Sequence, residues 1–221
     1  MPAYIDQRLR FPDPSGADER GLVAVGGDLS LERLRLAYGL GMFPWTVNPI
    51  SWWSPDPRGI FELERFHVPR SLARFMRHQP FEISIDRAFT RVMEGCAAPA
   101  PGRDGGWITP EFIAAYTRLH EAGGAHSVEC WRGGELVGGI YGVSIGGLFA
   151  GESMFHRETN ASKVALAHLV ARLRERGYAL FDIQMITPAT RQLGAVEIPR
   201  IDYLTRLKRA IQLDCSLGDR A

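Results

Sequence analysis

Lysine is almost missing from this 221-residue chain: of 26 Lys and Arg only Lys163 and Lys208 are lysines. A GC-rich genome produces the same bias, so where the arginines fall says more than how many there are. An excess of either charge is missing too. The 26 cations face 25 Asp and Glu, a formal net charge of +1, which argues against a wholly basic nucleic-acid protein and leaves room for a local basic patch. Cysteine is scarce, and Cys96, Cys130 and Cys215 have no metal-like spacing. That fits a reducing cytoplasm and argues against a disulfide scaffold or a zinc site. The uncharged stretch at residues 136–151 is Gly-rich and shorter than the ~18–20 apolar residues of a membrane span. Residues 1–10 carry charges and no apolar core, so no secretory signal is expected and the expected location is cytoplasmic. What is present is a globular balance, 45% hydrophobic and 23% charged, sufficient for one large domain or one domain plus a small satellite.

Residues 1–60 are dense in Pro, Gly and Trp. Within them residues 29–39 read as a helix, with Ser30 as its N-cap and Leu31, Leu34 and Ala37 or Tyr38 as its buried stripe. The turn-rich cluster 55–59 marks a domain boundary. It divides a small N-terminal domain, 1–57, from a larger one, 58–221, whose last residues, 218–221, read as a frayed tail. A Pro/Gly-rich loop follows at 97–106, then a helix opened by Thr109 and Pro110 and stopped at Gly123-Gly124. Three strands over 126–131, 136–145 and 148–155 form a β-meander, with Gly146-Gly147 as a hairpin turn. Asn160 is the expected cap of a helix over 161–176, followed by a strand over 178–185 and a helix over 201–213. Antiparallel strands followed by helix and strand make an α+β fold with a mixed sheet.

Two segments carry the chemistry. Arg70, Arg74 and Arg77 lie at helical spacing on one face, next to His78. Such a stripe is either a solvated face or a surface for a polyanion. In the strand 178–185, period-two alternation puts Leu180, Asp182 and Gln184 on one side and Ala179, Phe181, Ile183 and Met185 on the other. An unpaired buried carboxylate is costly. The pair is therefore either a solvent face of an edge strand or an acid and an orienting amide at a pocket floor. Glu152, in the Gly-rich Gly151-Glu152-Ser153, poses the same choice.

Several motifs occur together and in order: Gly26-Gly27-Asp28, Gly41-Met42-Phe43-Pro44-Trp45, Trp52-Trp53-Ser54-Pro55-Asp56-Pro57-Arg58, Trp107-Ile108-Thr109, Gly151-Glu152-Ser153-Met154-Phe155, Asn160-Ala161-Ser162-Lys163 and Leu193-Gly194-Ala195. With these the sequence resembles the bacterial leucyl/phenylalanyl-tRNA–protein transferases over nearly its whole length. The resemblance implies transfer of Leu, Phe or Met from aminoacyl-tRNA to the α-amine of proteins beginning with Arg or Lys, which marks them for N-end rule degradation. It implies a small N-terminal domain followed by an acetyltransferase-like (GNAT-like) domain. It matches the family's catalytic Asp and Gln to Asp182 and Gln184, its pocket acid to Glu152, and its 3′-adenosine-binding tryptophans to Trp45 and Trp107. The tRNA-contacting basic helix matches Arg70, Arg74, Arg77 and His78.

Within that frame Gln184 is expected to contact the reacting amine, with Asp182 polarising Gln184. Glu152 holds either the acceptor or the aminoacyl α-ammonium. An aminoacyl side-chain pocket is expected from Ile140, Phe149, Met154, Leu166, Leu169 and Leu173, residues that fit plain core equally well. Trp52 and Trp53 are expected at the domain junction. No metal, cofactor or membrane is called for, and a monomer is expected. Ala189 and Gln192 stand where many members carry His and Ser, and His156 replaces a usual Ser. An acetyl-CoA acyltransferase would need a Gly-rich phosphate-cradling turn before Ala161, and the turn there is Arg157-Glu158-Thr159-Asn160. A non-enzymatic tRNA-binding module would leave Asp182 and Gln184 idle.

Overall fold

The computed structural model describes residues 2–99 and 106–218. Most of the expected loop 97–106 and tail 218–221 lie outside them. The N-terminal segment holds β1 (Ala3–Ile5), β2 (Leu22–Gly26), α1 (Leu31–Gly39), β3 (Phe43–Val47) and β4 (Ile50–Trp53), with four short strands in the order β1-β2-β4-β3. Next come β5 (Arg58–Phe61), α2 (Arg70–Arg77), β6 (Glu82–Ile85), α3 (Phe89–Ala97) and α4 (Pro110–Glu121). The chain continues through β7 (Ala125–Arg132), β8 (Glu135–Ile145), β9 (Leu148–His156) and α5 (Ala161–Glu175). It finishes with β10 (Leu180–Gln184), α6 (Pro188–Gln192), β11 (Ala195–Ile198) and α7 (Arg200–Ala210). Seven strands form one sheet in the order β11-β5-β10-β9-β8-β7-β6, antiparallel except for the parallel β9–β10 pair. The expected α+β class with a mixed sheet is what the chain adopts.

Local signals account for several element ends. Ser30 caps α1 by accepting from the Arg33 N–H, and Thr109 caps α4 with Pro110 in its first turn. Asn160 does not cap α5 as expected. It adopts a left-handed backbone, φ 68°, and its side chain makes no capping hydrogen bond. The strand expected over 178–185 is shortened to β10, and the last helix ends at Ala210 instead of Leu213. Helix α3 was not foreseen: Ala88 precedes it and offers no side-chain cap.

One apolar cluster joins the N-terminal sheet and α1 to α3, α4 and the meander, through Tyr38, Trp52, Phe89, Tyr116 and Tyr141. Trp52 is fully buried, its indole N–H donating to Gly26 O at 2.9 Å. A second cluster fills the space between the seven-stranded sheet and α5. Here β8 and α5 approach closely. A Cβ added at Gly138 would lie 2.5 Å from the Ala161 Cβ and 3.1 Å from the Phe155 carbonyl oxygen. Gly138→Val is therefore expected to destabilise the chain by roughly 1–3 kcal/mol through overpacking. Urea unfolding reads this as a lower midpoint at an unchanged slope, and an unmoved midpoint contradicts the packing described.

Candidate active site

The site begins with an irregularity in β10. Asp182 pairs with Ile60 and Gln184 with Gly59, so Ile183 is the extra residue of a bulge. Gln184 has φ 56°, a conformation rare outside Gly and Asn that concentrates at functional sites. The period-two alternation expected of this strand therefore fails between Asp182 and Gln184. Asp182 stays in the interior, fully buried, while Gln184 turns into a cavity.

Asp182 is held on all sides. Its Oδ1 accepts from Arg58 Nε at 2.8 Å and from the Gln184 backbone N–H at 2.9 Å. Its Oδ2 accepts from Arg58 Nη2 at 2.6 Å and from the Tyr203 hydroxyl at 2.8 Å. Two donors on each oxygen fill the acceptor capacity of a carboxylate. Asp182 therefore reaches Gln184 through its main chain, and the expected side-chain contact is replaced by another. The Gln184 carboxamide donates to Glu152 Oε1 at 2.8 Å.

Arg58, also fully buried, donates in addition to Gly41 O at 3.1 Å and lies over the rings of Phe43 and Tyr203. Burial works against its charge, but the Asp182 carboxylate, with Tyr203 and Glu152, outweighs this and raises its pKa. In the sequence it stands only as the last residue of the Trp52–Arg58 motif, with no role assigned to it; a further signal was a lone cation opening the otherwise apolar Gly59-Ile60-Phe61.

Glu152 is the hinge between two cavities. The smaller, about 280 Å³, is flanked by Trp45 and Trp107, with Gln184 and Glu152 also in its wall. Trp45 stands edge-on against the half-buried Trp53, centroids 5.2 Å apart, and Trp107 against Phe112 at 5.7 Å. Trp53 is thus the support for Trp45. The larger cavity, about 740 Å³, also reaches Glu152. Of the six residues expected in the side-chain pocket, Ile140, Met154 and Leu166 line this cavity. Phe149, Leu169 and Leu173 do not line it; they are at most 1% exposed and belong to the core beneath. The periodicity of α5 identified the correct face, but Leu169 and Leu173 lie one and two turns further along, packed on the sheet. Phe61, Phe155, Ile183 and Met185 complete the apolar wall.

Burial raises the Glu152 carboxyl to about 8, and the nearby Asp182 charge adds to this; hydrogen bonds from Tyr38 and Gln184 and the Arg58 charge counteract it. The Tyr38 and Tyr116 hydroxyls share a 2.5 Å hydrogen bond. Burial, with the charge of Glu152, pushes both phenols well above their usual range, so they remain protonated. Arg70, Arg74, Arg77 and His78 are exposed on and just beyond α2 and line neither cavity. Among the described residues no cluster of three or more His, Cys, Asp or Glu could hold a metal, and no helix is long and apolar enough to cross a membrane.

Residues 60–208 match the model of the leucyl/phenylalanyl-tRNA protein transferase family, and residues 27–56 match that family's N-terminal domain. The chain belongs to this family. It is 50% identical over 216 residues to the leucyl/phenylalanyl-tRNA–protein transferase of Nitratidesulfovibrio vulgaris (strain DP4), covering 96% of this chain and 92% of that one. It is 50% identical over 226 residues to the protein of the same name from Anaeromyxobacter sp. (strain Fw109-5), covering 98% and 96%. Among solved structures, a ribosomal-protein-alanine N-acetyltransferase from Brucella melitensis aligns at 18% identity and a TM-score of 0.34, over 51% of this chain and 86% of that one. That likeness is too loose to define the fold.

In this member of the transferase family the Glu152 carboxyl keeps its proton to about pH 8, against an ordinary value of 4.5. Between these limits the folded chain binds more protons than the unfolded chain, so this group's contribution to stability falls as pH rises. Glu152→Gln removes that slope. Relative to the native chain, the variant is expected to gain stability steadily from about pH 5 to 8 and then level off, read by urea midpoints. A constant difference across that range contradicts the raised carboxyl.

Proposed function

We propose that this chain moves Leu, Phe or Met from aminoacyl-tRNA onto the α-amine of proteins beginning with Arg or Lys, as a monomer, using the cavity between the two indoles. The observation that carries this reading is the meeting of the Gln184 amide and the Glu152 carboxyl, 2.8 Å apart, in a cavity flanked by Trp45 and Trp107. In this reading the two indoles hold the terminal adenosine, and stacking contributes ~1–3 kcal/mol per base. The exposed Arg70, Arg74, Arg77 and His78 bind the tRNA backbone without regard to sequence. The division at residue 57 separates the segment bearing Trp45 from an acetyltransferase-like portion bearing the acid–amide pair.

The chemistry asks little of the protein in bond making. An aminoacyl ester is already activated, so aminolysis needs no covalent enzyme intermediate. The acceptor α-amine has a pKa of ~7.7–8.0, so its neutral form costs only about 1–1.4 kcal/mol at pH 7. Glu152, raised to about 8, is matched to that amine and exchanges a proton with it at little cost. Gln184 orients the amine against the ester carbonyl. Asp182 acts behind it as a positioning residue, fixing the Gln184 main chain. Positioning of this kind supplies effective molarities of ~10⁵ M or more. The apolar wall of Ile140, Met154 and Leu166 takes the unbranched side chain, and methylene-scale discrimination against a β-methyl is worth ~1–3 kcal/mol.

Single-turnover transfer of labelled Leu from Leu-tRNA to an Arg-starting peptide tests this reading. The native chain is expected to form Leu-Arg-peptide, with a rate that falls steeply as salt is added. Trp45→Ala and Trp107→Ala are expected to raise KM for Leu-tRNA about ten- to a hundredfold. Absence of transfer at low salt removes the proposal, and a flat salt response removes the arginine stripe from the tRNA site.

A further inference from the structure

The larger cavity is more spacious than one amino-acid side chain requires, and its two ends differ in chemistry. At its inner end is Glu152, the one Asp or Glu among the described residues that lines it. At its outer end are His156, Arg157 and Lys163. Neither Arg157 nor Lys163 is in an ion pair among the described residues. The acid between them in sequence, Glu158, is committed to Arg132 at 2.8 Å and does not line the cavity. Arg157 donates one guanidinium N–H to Leu136 O at 3.4 Å and lies 5.8 Å from the centroid of the Phe155 ring, so no carboxylate among the described residues holds it.

The next step rests on the transfer reading above. If the adenosine fills the smaller cavity, the acceptor amine meets Glu152 and Gln184 from the other side. The rest of the acceptor chain then leaves by the larger cavity, which also reaches Glu152. The aminoacyl side chain takes the apolar inner wall, and the remaining length runs towards the cations. Glu152 and His156 are four residues apart on β9, about 13 Å at ~3.3 Å per residue. Lys163 stands on the first turn of α5, whose Ala161 packs beneath Gly138, the partner of His156 across the β8–β9 ladder. An extended acceptor covers the same distance in a similar number of residues, and long side chains on both partners shorten the requirement.

We propose that Arg157 and Lys163 form a subsite for an acidic side chain of the acceptor, two to four residues behind its N-terminal Arg or Lys. The acceptor class is then a chain with a basic first residue followed closely by Asp or Glu, with the Glu152 carboxyl at one end of the cavity and the two cations at the other. The same two cations could instead meet a phosphodiester of the tRNA. The position of the cations on the far side of Glu152 from the indoles favours the peptide.

The test uses Arg-starting hexapeptides carrying Glu, Gln or Lys at one of positions 2 to 5, with Leu-tRNA as donor and kcat/KM as the readout. Glu at position 3 or 4 is expected to exceed Lys there by about three- to tenfold, with Gln between them, and the spread is expected to shrink as salt is raised. Arg157→Ala and Lys163→Ala are each expected to flatten that ranking through the peptide KM. Equal kcat/KM for Glu, Gln and Lys at every position overturns the subsite and leaves the transferase reading intact. Transfer to none of the peptides overturns both. If the alanine variants raise KM for Leu-tRNA while the peptide ranking persists, the cations serve a phosphate and the proposal fails.

Discussion

The buried pair between Arg58 and Asp182 is the constraint on which the site depends. Two charges removed from water are costly unless their remaining hydrogen-bonding capacity is met. Here it is met by Tyr203 from α7, by the main chain of Gln184 in β10 and by Gly41 O at the entrance to β3. Those three partners come from far apart in sequence. The pair therefore sets the segment bearing Trp45, two strands of the large sheet and the last helix in one arrangement. The bulge at Ile183 and the left-handed turn at Gln184 follow from it, because the Gln184 N–H points back at Asp182.

The two acids near the site differ because their surroundings differ. Asp182 faces a guanidinium and is saturated with donors. Glu152 faces mostly apolar walls and neutral donors, and it retains a proton to about pH 8. One carboxyl is consumed by structure, and the other is left able to exchange a proton with whatever enters. This division is the usual way for a site to assign separate duties to chemically identical groups.

Much of the fold was legible where the signal is local. Ser30, Thr109-Pro110 and the Gly146-Gly147 hairpin each announce an element end through their own backbone chemistry. The N-terminal strands were not legible, since segments of three to five residues are held by partners distant in sequence. The same reason explains the errors. Alternation placed Asp182 and Gln184 on one face because nothing within 178–185 reports the bulge that Gly59 and Arg58 impose. Helical periodicity found the face of α5 but not the depth of the cavity, so Leu169 and Leu173 were expected in a pocket that stops at Leu166. Arg58 ends a motif and Tyr38 falls on a buried helix stripe, but nothing in the sequence assigns a role to either or to Tyr203; their contacts reveal it.

Asp182, in this account, matters because it holds Gln184 in place, and it does not itself take a proton from the amine. A double-mutant cycle with Asp182→Asn and Gln184→Ala, read as the single-turnover rate of Leu transfer with saturating Leu-tRNA, tests this most directly. The account predicts strong non-additivity, with the double variant no more than about twofold slower than the slower single variant. Rate losses that multiply would mean that Asp182 acts on the reaction independently of Gln184, which contradicts it.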